Sequence, residues 1–266
     1  MTTTRRSLLG AALLAACATP ALAQTRRPPR DGTRAALPLV MLDPGHGGAD
    51  PGAIGAQGTL EKRIVLSVAL DLRRRLEATG RCRVALTRSS DVFVALGARV
   101  DAARNREAAL LLSIHADSAP PGMGGRARGA SIYTLGETAS DPFSAALARR
   151  ENLADRAGGL RLPSVPPDVQ RILLSMMRAE TRQGSERVAR TTLAALSDDI
   201  PLLTNPHRRA SFVVLKAPDV PSALVEVGFL SHPQDEALLN RPAWRGRVAG
   251  ALAEGVVAYL GRRVVT

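Results

Sequence analysis

The stretch Leu39-Val40-Met41-Leu42-Asp43-Pro44-Gly45-His46-Gly47-Gly48 decides how this chain is read. An apolar strand runs into a glycine-rich turn that carries one histidine. Glycine opens backbone conformations closed to other residues and leaves space around an imidazole. Further along, Glu61, His115 and Glu226 stand where they can complete a metal-hydrolase site. Two imidazoles and a carboxylate suit zinc and leave a fourth position for water.

Strands and amphipathic helices alternate from this stretch onward. Pro38–Asp43 reads as a strand entering the turn. Glu61–Ala78 reads as a helix, because Ile64, Val68, Leu72 and Leu76 recur every four residues, and Gly80 stops it. Arg83–Thr87 is a second strand and Leu96–Arg106 a short helix. Ala108–Ile114 is a nearly continuous apolar run ending in His115, which suits a strand covered on both faces. Gly129–Leu135, Phe212–Leu215 and Ser222–Gly228 bring the expected strands to six. Helices are expected over Asp141–Asp155, from Asp168 to about Leu196, and at the end, where Val248, Leu252, Val256 and Leu260 share a face. The expected fold class is α/β, a three-layer sandwich with a mostly parallel, six-stranded central sheet and helices on both faces.

Each candidate site residue also has an ordinary structural role. An acidic residue such as Glu61 in a first helical turn complements the helix dipole. A lone histidine such as His115 is commonly half-buried and bonded to backbone. The junctions carry the argument: His46 follows a strand, Glu61 starts a helix and His115 ends a strand, where a scaffold fixes side chains. Glu226 sits inside Ala223-Leu224-Val225-Glu226-Val227-Gly228-Phe229, an otherwise apolar run. A carboxylate buried there needs a metal, a cation or a cleft, and a partly desolvated setting suits a general base.

Residues 1–23 read as an export leader. Arg5-Arg6 precede the apolar Leu8–Ala16, and Ala21-Leu22-Ala23 offers a small-residue cleavage site before Gln24. Thr4–Leu9 is similar to a twin-arginine signal. Leu14-Ala15-Ala16-Cys17 resembles a lipoprotein cleavage box, so the protein is membrane-associated only if Cys17 is lipidated; cleavage after Ala23 is the preferred reading. Residues 24–36 form a Pro/Arg-rich flexible tether, and 37–266 the catalytic domain. Cys82 is then the sole cysteine and reads as a small buried residue in a strand, not a catalytic thiol. The leader holds two arginines and no acid, so the mature chain keeps +10 of the formal +12. That balance favours anionic surfaces. Export and the scarcity of aromatics exclude nucleic acid as a partner.

As an ordered set, Leu42–Gly48, Glu61-Lys62, Ser113-Ile114-His115-Ala116-Asp117, Val214-Leu215-Lys216-Ala217-Pro218 and Leu224–Ser231 resemble the zinc-dependent N-acetylmuramoyl-L-alanine amidases of bacterial cell-wall turnover, the type that separates daughter cells. The resemblance covers about Pro38 to Leu260. It implies one zinc ion (Zn2+) per chain on His46, Glu61 and His115, with Glu226 as the catalytic acid/base. It implies cleavage of the amide between N-acetylmuramic acid and L-alanine in peptidoglycan, in the periplasm or outside the cell. It also implies that Ser140–Pro166 is a regulatory insert, with Glu151 on the open zinc position until an activator protein displaces the helix. Asp117 and His232 stand where relatives often carry Asn. His232 reads as a helix cap before Pro233, and His207 as a solvated loop residue rather than a substrate contact. The family's separate N-terminal wall-targeting domain is not expected here. Two rival readings are a zinc peptidase acting within the stem peptide and a non-catalytic wall-binding regulator.

Overall fold

A computed structural model describes residues 37–120, 122, 127–157 and 179–261. The expected leader and tether, the insert beyond residue 157, and the first part of the helix expected from Asp168 lie outside the described residues.

Six strands form one sheet: β1 (Leu39–Pro44), β2 (Arg83–Leu86), β3 (Leu110–His115), β4 (Ala130–Leu135), β5 (Leu202–Ala210) and β6 (Ser222–Glu226), in the order β2-β1-β3-β6-β4-β5. Every neighbouring pair is parallel except β4 with β6. The carboxyl ends of β1, β3 and β6 therefore point the same way and share one rim. Open parallel sheets place their ligand sites at that rim.

Helices cover both faces, as the alternation predicts. α1 (Glu61–Ala78), α5 (Ala179–Ser197) and α7 (Pro242–Gly261) pack on one face. There Val40, Leu42, Leu112, Ile114 and Val225 meet Val68, Leu72, Val188 and Leu252. The other face carries α2 (Leu96–Arg104), α3 (Pro142–Glu151) and a 3₁₀ turn (Val213–Leu215), packed on Leu39, Met41, Leu111, Tyr133 and Leu224. Strand period two sends alternate residues of β1 and β3 into the two layers. Truncating a fully buried leucine such as Leu72 or Leu112 to alanine costs about 2–5 kcal/mol.

The structure departs from the sequence reading in three places. The sixth strand is β5, not Phe212–Leu215, whose last three residues wind as the 3₁₀ turn. β5 is an edge strand containing Pro206, and edge positions tolerate a missing N–H. A wide bulge separates its Ala130↔Leu202 and Ile132↔His207 pairings, with Asn205 at φ 54°. Phe212 and Leu215 remain fully buried, so the apolar run is core without being strand. β2 lies at the other edge, with Arg83 exposed, rather than being buried throughout. The helix expected over Asp141–Asp155 breaks at Asn152 into α3 and the short α4 (Ala154–Ala157).

Two local caps match their chemistry. The Asp141 carboxylate accepts from Ser144 N at 2.7 Å, and Pro142 follows at a first-turn position. His232 caps α6 (Pro233–Leu239) by accepting from Gln234 N at 3.3 Å, the role expected from the residue before Pro233.

Candidate metal centre

His46, Glu61 and His115 converge at the rim although 69 residues separate the first from the last. One ligand atom from each lies within 4.8 Å of the others, and all three side chains are buried. β1 delivers His46 just beyond its last residue, α1 delivers Glu61 as its first, and β3 delivers His115 as its last. Glu226 ends β6 and stands directly opposite His115 in the ladder. β6 is interior to the sheet, so Glu226 is no edge residue, and it is fully buried.

Glu61 is held by backbone before any metal is considered. Its Oε2 accepts from Ala53 N at 2.8 Å and its Oε1 from Ala116 N at 2.8 Å. The His46 Nε2 lies 3.1 Å from Oε2 and the His115 Nδ1 3.1 Å from Oε1. Burial alone would raise the Glu61 carboxyl, but the two imidazoles outweigh it and hold the group well below its usual range. In return, burial would lower His46 and His115, yet the carboxylates of Glu61 and Glu151 push both up, His115 to about 10. The cluster is a charge-matched set in which a divalent cation can replace the imidazole protons.

The glycines are required by this packing at two positions. A Cβ on Gly45 would stand 2.3 Å from His115 Cε1. Gly52 has φ +68°, and a Cβ there would meet His46 Cδ2 at 2.6 Å and Glu61 Oε2 at 2.7 Å. His46 itself has φ 58°, a left-handed conformation that costs a non-glycine residue free energy and needs outside support.

Residues the sequence did not flag supply that support. Arg99, 2% exposed, donates from Nη2 to His46 O at 2.8 Å and from Nη1 to Pro44 O and Asp43 Oδ1, both at 2.7 Å. Arg88 donates to Pro44 O at 2.9 Å, Gly45 O at 2.6 Å and Lys62 O at 3.0 Å. Burial and the nearby Arg99 charge bring the Arg88 guanidinium down to about 10. Two buried guanidiniums thus clamp the carbonyls of the histidine loop. Asp50 Oδ2 lies 2.8 Å from His46 Nδ1, while its Oδ1 accepts from Gly52 N at 3.0 Å. With the proton on Nδ1, the ring donates to Asp50 and presents Nε2 as a ligand atom. The only sequence trace of Asp50 is an acid four residues after the histidine.

α3 closes the rim. Glu151 Oε2 stands 3.1 Å from His115 Nδ1 and 3.4 Å from His46 Nε2. Neighbouring residues fasten the segment. Arg150 pairs with Asp117 and donates to Ser118 O at 2.6 Å. Asn152 bonds Ser211 O and Val213 N, each at 2.8 Å. Asp155 accepts from Leu96 N at 2.8 Å. The cavity left beside His46, His115 and Glu151 is about 10 Å³, at the limit for a single water.

His207 does not lie in a loop. It sits on β5 with Nε2 3.2 Å from Thr134 Oγ1 and 3.6 Å from Glu186 Oε2, outside the His–Glu–His cluster. Cys82 is buried beside β2, and burial raises its thiol, as an inert residue requires.

Two tests favour a metal here. The Glu226 Oε1 is buried with no hydrogen-bond partner among the described residues, and the buried His46 Nε2 faces the Glu61 and Glu151 carboxylates at 3.1 and 3.4 Å. The donor set is also the two-imidazole, one-carboxylate type that binds zinc with one position open. A parallel-rich α/β sandwich with this cluster on its carboxyl rim defines the class of candidate metallohydrolases. The chain belongs to the N-acetylmuramoyl-L-alanine amidase family Amidase_3, whose model matches residues 40–258. It is 39% identical to the N-acetylmuramoyl-L-alanine amidase AmiC of Neisseria meningitidis, over 92% of this chain and 58% of that one. It is also 39% identical to AmiA of Escherichia coli, over 83% of this chain and 75% of that one. The chain therefore spans little more than half of the first relative. Among solved structures, the amidase AmiC2 of Nostoc punctiforme superposes with a TM-score of 0.59 at 28% identity, covering 85% of this chain and 98% of that one.

Proposed function

We propose that the chain is a zinc-dependent N-acetylmuramoyl-L-alanine amidase, cleaving the bond between the lactyl carboxyl of N-acetylmuramic acid and the L-alanine of the stem peptide. The observation that carries this is the coincidence of His46, Glu61 and His115 within 4.8 Å with the unpartnered Glu226 Oε1 on the neighbouring strand.

His46 Nε2, a Glu61 oxygen and His115 Nδ1 would hold the ion. When bound, zinc supplies an electrophile for the scissile carbonyl and acidifies the attacking water. Glu226 takes the proton from that water and returns it to the departing amine of L-alanine. Its Oε2 is fixed by Asp117 N at 2.9 Å, which leaves Oε1 free for the transfer. Burial above all raises the Glu226 carboxyl well above its usual range, with Glu61 and Glu151 adding and His115 and Arg150 opposing. A raised value makes the carboxylate a stronger base toward water and lets the carboxyl keep that proton until the amine departs. Arg88, Arg99 and Asp50 keep His46 in place.

The described state is the resting one in this reading: Glu151 fills the open ligand position, and an activator protein releases α3. The protein acts on the wall after export, in turnover and daughter-cell separation. No described helix is long and apolar enough to cross a membrane.

The test is mass spectrometry of soluble products from purified peptidoglycan treated with the zinc-loaded protein. Free stem peptides beginning with L-alanine, absent with Glu226→Gln, are expected. L-alanine left on muramic acid would establish a peptidase instead. No product from either the full chain or a Ser140–Pro166 deletion would leave a non-catalytic wall-binding protein.

A further inference from the structure

A groove of about 690 Å³ runs between α5 and the β4–β5 edge, far roomier than the cleft beside His46. The two share no lining residue. Its charged lining is Arg182, Arg187, Arg190, Arg209, Glu137 and Glu186. Arg209 is engaged, donating to Glu186 Oε1 from Nε at 3.1 Å and Nη2 at 2.9 Å. Arg182, Arg187 and Arg190 have no carboxylate partner among the described residues. Burial first, and then the Arg209 and Arg190 charges against that of Glu186, hold the adjacent His207 below its usual value. The groove is thus a positive recess with three guanidiniums to spare.

We propose that this groove is a second peptidoglycan-binding site, taking the free carboxylates of a stem peptide on its unpaired arginines. The inference rests on the amidase reading for its choice of polymer. Planar guanidiniums match carboxylates in two-point geometry. The lining separates a stem peptide from a lipid. Leu135 is its one large apolar residue, so the recess favours a polar ligand over an acyl chain. Glu137 and Glu186 would repel a dense phosphate array, yet they suit the free amine and amide N–H groups that accompany carboxylates on a stem peptide. A volume near 690 Å³ lies within the range of sites that enclose a small ligand. With α3 closed over His46, the groove lets the resting protein hold the wall before its cleft opens.

The experiment is co-sedimentation with purified, lipid-free peptidoglycan, using the full mature chain carrying Glu226→Gln so that the polymer is not consumed. Arg182→Glu/Arg190→Glu should weaken binding about tenfold or more, since two charged contacts are reversed. Arg74→Glu/Arg81→Glu makes the same change in net charge on another surface and should leave binding nearly intact. Amidating the carboxylates of the polymer should reproduce the loss with the groove unaltered. Equal weakening by both double variants, or by neither, overturns the site. A groove variant that loses binding to anionic phospholipid vesicles while keeping the wall also overturns it, in favour of a lipid headgroup. Thermal melting of both variants identifies misfolding, and Arg190→Gln alone then gives the graded test. Failure of the amidase reading is read separately, as wall binding without stem-peptide release by the native protein.

Discussion

The Glu151 carboxylate stands 3.1 Å from His115 Nδ1, contributed by a helix that starts 27 residues after that histidine and reaches back across the rim. In the proposed resting state this carboxylate fills the open ligand position and competes with everything else that needs it. Glu151→Ala should therefore raise the basal release of stem peptides without an activator. Removing even a modest bias toward the closed state gives about a tenfold gain, the equivalent of about 1.4 kcal/mol. Asn152, Arg150 and Asp155 would still tether the segment, so Ser140–Pro166 deletion should gain more than the point variant. Dye release from labelled peptidoglycan measures both, and equal basal rates in all three proteins would remove the lock from the account.

Asp50 acts on the centre through His46. Its carboxylate fixes the imidazole by the 2.8 Å contact at Nδ1, so Asp50→Ala frees the ring to rotate and to change tautomer. Zinc affinity, measured by competition with a chromogenic chelator, should fall about 10–100-fold. Asp50→Asn should fall less, because its amide oxygen can still accept from Nδ1. An unchanged affinity in both variants would mean the clamp arginines alone hold the ring.

Glu226→Gln separates chemistry from folding. The amide keeps an oxygen for Asp117 N and fills the same space, so metal content and melting temperature should stay close to those of the parent. Stem-peptide release should fall about 10²–10⁴-fold, the range for losing a general acid–base group. Release at an undiminished rate would take the proton-transfer role away from Glu226.

What the sequence could and could not reveal follows from where each signal resides. β1, β3 and α1 are legible because their apolar residues repeat with the strand or helix period, and Glu226 because a lone carboxylate interrupts an apolar run. β5 left no such pattern. It is a bulged edge strand holding Asn205, Pro206 and three basic residues, and its partner's register alone makes it a strand. Phe212–Leu215 misled for the converse reason: a short apolar run marks burial, and burial here belongs to a 3₁₀ turn. Arg88 and Arg99 were hidden among 36 basic residues, because their partners are mostly carbonyl oxygens, which carry no side-chain signature.

The Arg99–Asp43 pair gives the loop a measurable pH dependence. Both groups are buried, and Asp43 also accepts from Thr87 Oγ1 at 2.6 Å and Ser113 Oγ at 2.7 Å. Burial by itself would raise the Asp43 carboxyl; the Arg99 charge and these hydrogen bonds overcome it and leave the group below its usual value. A carboxyl depressed in the folded state contributes stability that is complete above its unfolded value, about 3.9, and lost as pH falls through the lower folded value. Asp43→Asn should cost about 3–5 kcal/mol at neutral pH, because it strands a buried guanidinium. The deficit should narrow in acid, starting below about pH 4, where the unfolded parent takes up the proton that its folded carboxyl still resists. Urea unfolding of the two proteins from neutral pH into acid measures the difference directly. Stability curves that run parallel throughout would show that Asp43 ionisation is not what steadies the His46 loop. If they converge in acid and Asp43→Asn also binds zinc more weakly at neutral pH, the pair acts on the metal centre through the Arg99 contact to His46 O.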